Sequence, residues 1–86
     1  MHFVYILFSK SYSNFYIGYT EDIERRLKEH HQGAGHTTSR LGVIELVFYE
    51  AFKNKKDAQR RERYFKTSQG KKALKLMLQE SICPVV

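Results

Sequence analysis

The chain has 86 residues, 42% apolar and 28% charged, with 6 Tyr, 6 Phe, one Pro and one Cys. Folding at this length buries only about 60–65% of the surface an unfolded chain exposes, which allows one domain with one core and a site on its rim. The composition excludes a disordered chain, which needs low hydrophobicity joined to high charge. The lone Cys83 excludes an internal disulfide and suits a reducing cytoplasm.

Met1-His2-Phe3-Val4-Tyr5 shows no basic leader or cleavage site, and the apolar run 3–8 is too short to span a bilayer. A soluble, cytoplasmic chain without a membrane partner is expected. Phe3, Tyr5 and Leu7 alternate with Val4, Ile6 and Phe8, and both sets are apolar or aromatic, as in an internal strand. Turn chemistry over 9–14 leads to a second strand over 15–19, in which Gly18 marks a bulge or the close approach of another group. Thr20 is the expected N-cap of a helix with Glu21 and Asp22 in its first turn, running to about His31 and ended by Gly33 and Gly35. A polar loop over 32–42 carries His36, Thr37, Thr38, Ser39 and Arg40. Next come a third strand near Ile44–Phe52 and a second helix capped by Asn54 and reaching about Lys66. Thr67-Ser68-Gln69-Gly70 is a separating turn, followed by a third helix with Ala73, Leu74, Met77 and Leu78 on one stripe. The order β-β-α-β-α-α predicts an α/β (α+β) fold, a three-stranded sheet with helices against it, over residues 1–80, with a tail over 81–86.

The net charge of +6 is unevenly placed: between Lys53 and Lys75, ten Lys and Arg stand against only Asp57 and Glu62. Such a run suits a nucleic-acid face, because each phosphate contact releases a condensed counterion. Lys66, Lys71 and Lys72, with Thr38, Ser39 and Arg40 in the loop, are the candidate phosphate contacts. An anionic membrane surface or an acidic partner could meet the same charge.

Four polar positions break the apolar pattern. On the second helix Glu62 falls on the stripe of Ala58 and Phe65. A carboxylate there is costly unless it is paired with an inward Arg or binds a cation, and Mg²⁺ takes carboxylate oxygen. On the first helix, Ile23 and Leu27 mark the buried stripe, Arg26 lies at its edge and His30 on it, while Arg25 points away. Arg26 is either a surface partner of Asp22 or a fork for phosphate oxygens. His30 is either a hydrogen-bonded residue at a core edge or a proton acceptor. Tyr5 and Tyr16, taken alone, read as core aromatics.

As a set these residues are recognisable. Phe3-Val4-Tyr5, ten residues, then Tyr16-Ile17-Gly18 resembles the signature of the GIY-YIG nuclease superfamily. Residues 20–30 are similar to that family's arginine helix, Val47-Phe48-Tyr49-Glu50 to its third strand, and Ala58-Gln59-Arg60-Arg61-Glu62 to its acidic helix. Gly70-Lys71-Lys72-Ala73-Leu74 resembles the end of its short members. Phe3 replaces the signature's first glycine, and Arg40-Leu41-Gly42-Val43 lacks the proline that short members often carry.

The resemblance implies a three-stranded antiparallel sheet and a phosphodiesterase dependent on Mg²⁺ or Mn²⁺. Its expected substrate is nucleic acid, DNA first, cut with structural selectivity in repair or recombination. It makes Tyr5 and Tyr16 the signature tyrosines, Arg26 the catalytic arginine, Glu62 the metal ligand and His30 a histidine frequent in short members. Phenols ordinarily titrate near pH 10, so a tyrosine that activates water would need a nearby cation. The alternative is a non-catalytic nucleic-acid-binding module on the same fold. A monomer or weak homodimer is expected, the latter through exposed aromatics such as Tyr12, Tyr19 or Phe52.

Overall fold

The computed structural model describes residues 1–31 and 44–82. Its sheet is built around β1, His2–Ser9, which pairs antiparallel with β2, Asn14–Thr20, on one side and with β3, Ile44–Phe52, on the other. The order β2-β1-β3 explains why β1 is apolar on both faces: it alone is flanked twice, and Val4 through Phe8 are all buried. The β1–β2 turn is tied by Ser9, whose Oγ accepts from the Tyr12 amide at 3.3 Å, and Ser13 closes it with φ 51°.

Alternation assigns the faces. Val4, Ile6 and Phe8, with Phe15 of β2, meet Ala58 and Phe65 of α2, Lys55–Phe65, and Leu74 of α3, Ser68–Met77. Leu78, just past α3, completes this core. Fully burying one side chain of the size of Phe65 contributes about 1.5–3 kcal/mol, so a few such residues carry the fold. Phe3, Tyr5 and Leu7 point to the other face, with Tyr16 and Gly18 of β2 beside them in register. The register to β3 slips between Ile6 and Leu7, so Val47 is the extra residue. Of the two readings of Gly18, a bulge or a close approach, the bulge lies instead on β3, and Gly18 takes the close approach, of Tyr5.

Helix ends follow local chemistry. Asn54 caps α2, its side chain accepting from the Lys56 amide at 2.8 Å. The first helix, α1, spans Ile23–His31 and is capped by Asp22, not Thr20: Asp22 Oδ1 accepts from the Arg25 amide at 3.1 Å. Thr20 instead folds the approach, its hydroxyl accepting from the Asp22 amide at 3.1 Å and donating to the Asp22 carbonyl at 3.2 Å. The separating turn expected over 67–70 is also shorter. Thr67 caps α3, accepting from the Gly70 amide at 3.0 Å, and Ser68, Gln69 and Gly70 are already helical. Glycine serves close packing there, since a Cβ on Gly70 would lie 2.0 Å from the Tyr64 carbonyl oxygen and 2.7 Å from Phe65 Cα. Met77, expected on the buried stripe, is 48% exposed, because Leu74 and Leu78 one turn apart take the inner line. Tyr19 and Phe52, expected to be exposed, pack partly against the core, whereas Tyr12 is exposed.

A last turn, α4, Gln79–Ile82, brings Ile82 against the same core. Thr38, Ser39, Arg40 and Cys83 lie outside the described residues. Among the described residues no helix is long and apolar enough to cross a membrane. Gly70→Ala should force α3 off the end of α2 and cost about 3 kcal/mol, at the top of the overpacking range, read as a lowered urea midpoint with unchanged m.

Candidate active site

Tyr5 sits in the middle of the central strand, directly opposite Gly18 on β2. Its ring lies over that glycine: a Cβ at position 18 would stand 2.3 Å from Tyr5 Cζ and 2.3 Å from its hydroxyl oxygen. The missing side chain is therefore the channel through which the phenol reaches past β2. At its end Arg26 Nε donates to the Tyr5 oxygen at 3.2 Å. Tyr5 is 5% exposed, whereas the Arg26 side chain remains 47% exposed.

The Thr20–Asp22 turn and the Asp22 cap set where α1 begins, and so where Arg26 stands. Glu29, one turn later, accepts from Arg26 Nη1 at 3.1 Å and also pairs with Arg25 at 3.3 Å. Asp22, the surface partner anticipated for Arg26, is occupied by the helix cap. The hydrogen bond to Tyr5 and then that to Glu29 raise the Arg26 pKa, so the guanidinium is cationic at any working pH. The same bond, with both arginines, holds the Glu29 carboxyl below its ordinary value. A guanidinium has five donors, and the described contacts use two.

Tyr16 stands on the same sheet face, half-buried and one register step from Tyr5 as the partner of Leu7. His30 is the penultimate residue of α1, and its side chain lies outside the described residues. Glu62 belongs to α2, which packs on the opposite face of the sheet. Its carboxylate is 22% exposed and accepts from Lys66 Nζ at 3.1 Å, a partner one turn along the same helix in place of an inward Arg. The structure thus joins Tyr5 to Arg26 and sets Tyr16 on their face, while Glu62 comes from the helix on the other face and acts on Tyr19 of the edge strand β2. Lys71 and Lys72 are exposed in α3.

A polar cluster that periodicity did not reveal lies near Glu62. The Tyr19 hydroxyl is 2.7 Å from His2 Nδ1 and donates to Glu21 at 3.3 Å. One phenolic proton cannot serve both, so both contacts are satisfied when His2 Nδ1 donates to Tyr19. Burial, then Glu21, push the Tyr19 phenol upward, and Glu62 adds to the effect, so Tyr19 keeps its proton at neutral pH. A histidine next to the N-terminus and a tyrosine in a strand carry no periodic signal; only the β1–β2 register brings them together.

A family model described as the GIY-YIG catalytic domain matches residues 1–75. The chain belongs to the GIY-YIG family. It is 41% identical over 83 residues to a UPF0213 protein of Clostridium perfringens, covering 95% of this chain and 88% of that one. It is 39% identical over 72 residues to the UPF0213 protein YazA of Bacillus subtilis, covering 83% and 72% respectively. The solution NMR structure of a UPF0213 protein from Bacillus halodurans superposes with TM-score 0.56 at 39% identity, covering 88% of this chain and 83% of that chain. The antiparallel sheet implied by the GIY-YIG resemblance and the element order read from the sequence are those observed.

A GIY-YIG nuclease domain also implies a divalent cation. Among the described residues no three His, Cys, Asp or Glu side chains converge, which does not match a closed zinc cage. A single carboxylate does match Mg²⁺, which keeps several waters and shares its shell with substrate phosphate. Glu62 fits that demand: it is an accessible carboxylate whose Lys66 partner is a surface pair worth tenths of a kcal/mol and easily exchanged.

Gly18→Ala should displace the Tyr5 ring and cost about 1–3 kcal/mol, and the Arg26 Nε–H resonance should move to that of a solvated arginine. Because the Glu29 pKa is lowered, its pair with Arg26 is fully present above the ordinary carboxylate range and is lost as pH falls through the lowered value. In an NMR acid titration the Glu29 carboxyl should titrate below a free glutamate, and Arg26→Gln should bring it back toward the free value.

Proposed function

We propose that this GIY-YIG chain is a divalent-metal-dependent endonuclease that hydrolyses phosphodiester bonds in nucleic acid, DNA first, within the cytoplasm. The observation that carries the reading is the Tyr5–Arg26 contact across Gly18. It holds a permanently charged, half-exposed fork in one place without spending all its donors. Such a fork suits a non-bridging phosphate oxygen, whose charge grows in the transition state. Tyr5, fixed in the central strand, acts by holding Arg26. Tyr16 or Tyr5 orients the attacking water and relays its proton, accepting it as the phenol passes its own to His30, while the water oxygen bonds to phosphorus and the bond to the leaving oxygen breaks. Glu62 would hold a divalent cation, which would supply Lewis-acid charge to the reaction when bound. Lys66, Lys71 and Lys72 supply phosphate contacts, as do Thr38, Ser39 and Arg40. Branched or nicked DNA of the kind met in repair or recombination is the substrate class we would test first.

The Lys66–Glu62 pair favours one other reading, in which Glu62 is already neutralised and the domain binds nucleic acid without cutting it. The two part on metal. Labelled single-stranded, duplex, nicked, flapped and four-way DNA, with RNA, would be incubated with Mg²⁺, Mn²⁺ or chelator. The nuclease reading expects metal-dependent cutting, lost at least about a hundredfold in Glu62→Gln with the melting temperature within a few degrees of wild type. Arg26→Lys keeps the charge but loses the fork, and its turnover should fall about tenfold or more. Salt-sensitive binding of several substrates with no cutting of any would transfer the case to the binding module.

A further inference from the structure

The densest positive charge does not lie on the face of Tyr5 and Arg26. Lys53, Lys55, Lys56, Arg60, Arg63 and Lys66 are all exposed on α2 or at its ends, on the sheet's other side. Within this field is a groove of about 430 Å³ lined by Phe52 at the end of β3 and by Asp57, Arg60, Arg61 and Tyr64 of α2. The four helical residues follow an i, i+3, i+4, i+7 spacing and so form one stripe. We propose that this groove is a second nucleic-acid contact, holding an unpaired nucleotide of a single strand by stacking its base.

Two aromatic rings and one immobilised guanidinium define the groove. Tyr64 is 37% exposed, and Phe52 is half-buried against the core. Arg61 lies between them and the interior, its Nε donating to Glu50 at 2.8 Å and its guanidinium 5.4 Å from the Tyr64 centroid and 4.4 Å from that of Phe65. Held on three sides, it presents a planar cation, which stacks on bases as readily as on the rings it already covers. At the rim Arg60 is 73% exposed and tied to Asp57 at 3.2 Å. An exposed pair of that kind exchanges readily for phosphate. The volume suits one nucleotide. A duplex hides the faces of its bases, whereas a single strand offers them, and stacking accepts any base. The surrounding cations complement a phosphate backbone. The site requires that the chain bind a strand, not that it cut one.

The test is binding of a labelled oligothymidylate of about 12 nucleotides, within the site sizes of single-strand binders, to the full chain in chelator. Tyr64→Ala should weaken binding about tenfold, Tyr64→Phe should stay within about twofold, and a duplex of equal length should bind wild type and Tyr64→Ala alike. Tyr64→Ala should leave the salt dependence unchanged, whereas Arg60→Gln, a fully surface change, should reduce the log–log salt slope by about one. Because the assay runs in chelator and reads binding alone, failure to cut any substrate leaves its outcome untouched, which keeps this site separate from the fate of the nuclease reading. Unaltered binding by Tyr64→Ala, an equal loss for duplex and single strand, or equal competition by polyglutamate would overturn the proposal, as would no oligothymidylate binding by wild type.

Discussion

The rest of the site depends on a phenol occupying the space where a neighbouring strand has no side chain. Tyr5 belongs to the one strand bonded on both sides, so its backbone cannot drift. Gly18, opposite it, has no side chain to occupy the place its ring takes. Any larger residue would turn Tyr5 into an ordinary core aromatic and leave Arg26 to the solvent. Placing the anchor on the central strand means that the arginine's position is inherited from the sheet and not from a nine-residue helix, and sites on such rigid elements are the more precise.

The same device appears twice, once on each side of the sheet. Arg26 is held by a phenol and a carboxylate, and Arg61 by a carboxylate and two aromatic rings. Each guanidinium loses its freedom during folding, before any ligand arrives, which reduces the ordering cost of binding. β1 makes this possible because its alternate residues serve both faces. Lys66, by contrast, is tied by a single exposed ion pair to Glu62, one turn along the same helix.

Much of this could be read from residue order. The doubly apolar β1, the Asn54 cap and the inward set of α2 follow from alternation and helical spacing, and the structure bears them out. Gly18 announced a bulge or a close approach but could not choose, because the choice depends on which residue lies opposite. Where two candidates compete for one role, sequence adjacency misleads. Thr20 and Asp22 are both capping residues, and the turn gives each a different amide. Asp22 thereby leaves Arg26 to Glu29, and Glu62 takes Lys66 instead of an arginine. Gly70 looked like a breaker, since a short-range reading has no access to a carbonyl from the preceding helix. The His2–Tyr19–Glu21 cluster was invisible for the same reason: its members meet through strand register, not through period.

The position of β1 in the sheet also governs how the fold can be reached. Its partners follow it in the chain, and the β3 pairings span from 35 residues, Ser9 to Ile44, to 50 residues, His2 to Phe52. The hairpin with β2 is local and can form early, but it leaves the other edge of an apolar strand without its ladder. Closing that edge requires a large loop, which slows folding and leaves the strand open to pairing with another chain in the interval. On the ribosome the interval lasts until Phe52 has cleared the exit tunnel, several seconds at about 5–20 residues per second. The central strand that makes the finished site rigid is thus also the part of the nascent chain most in need of protection.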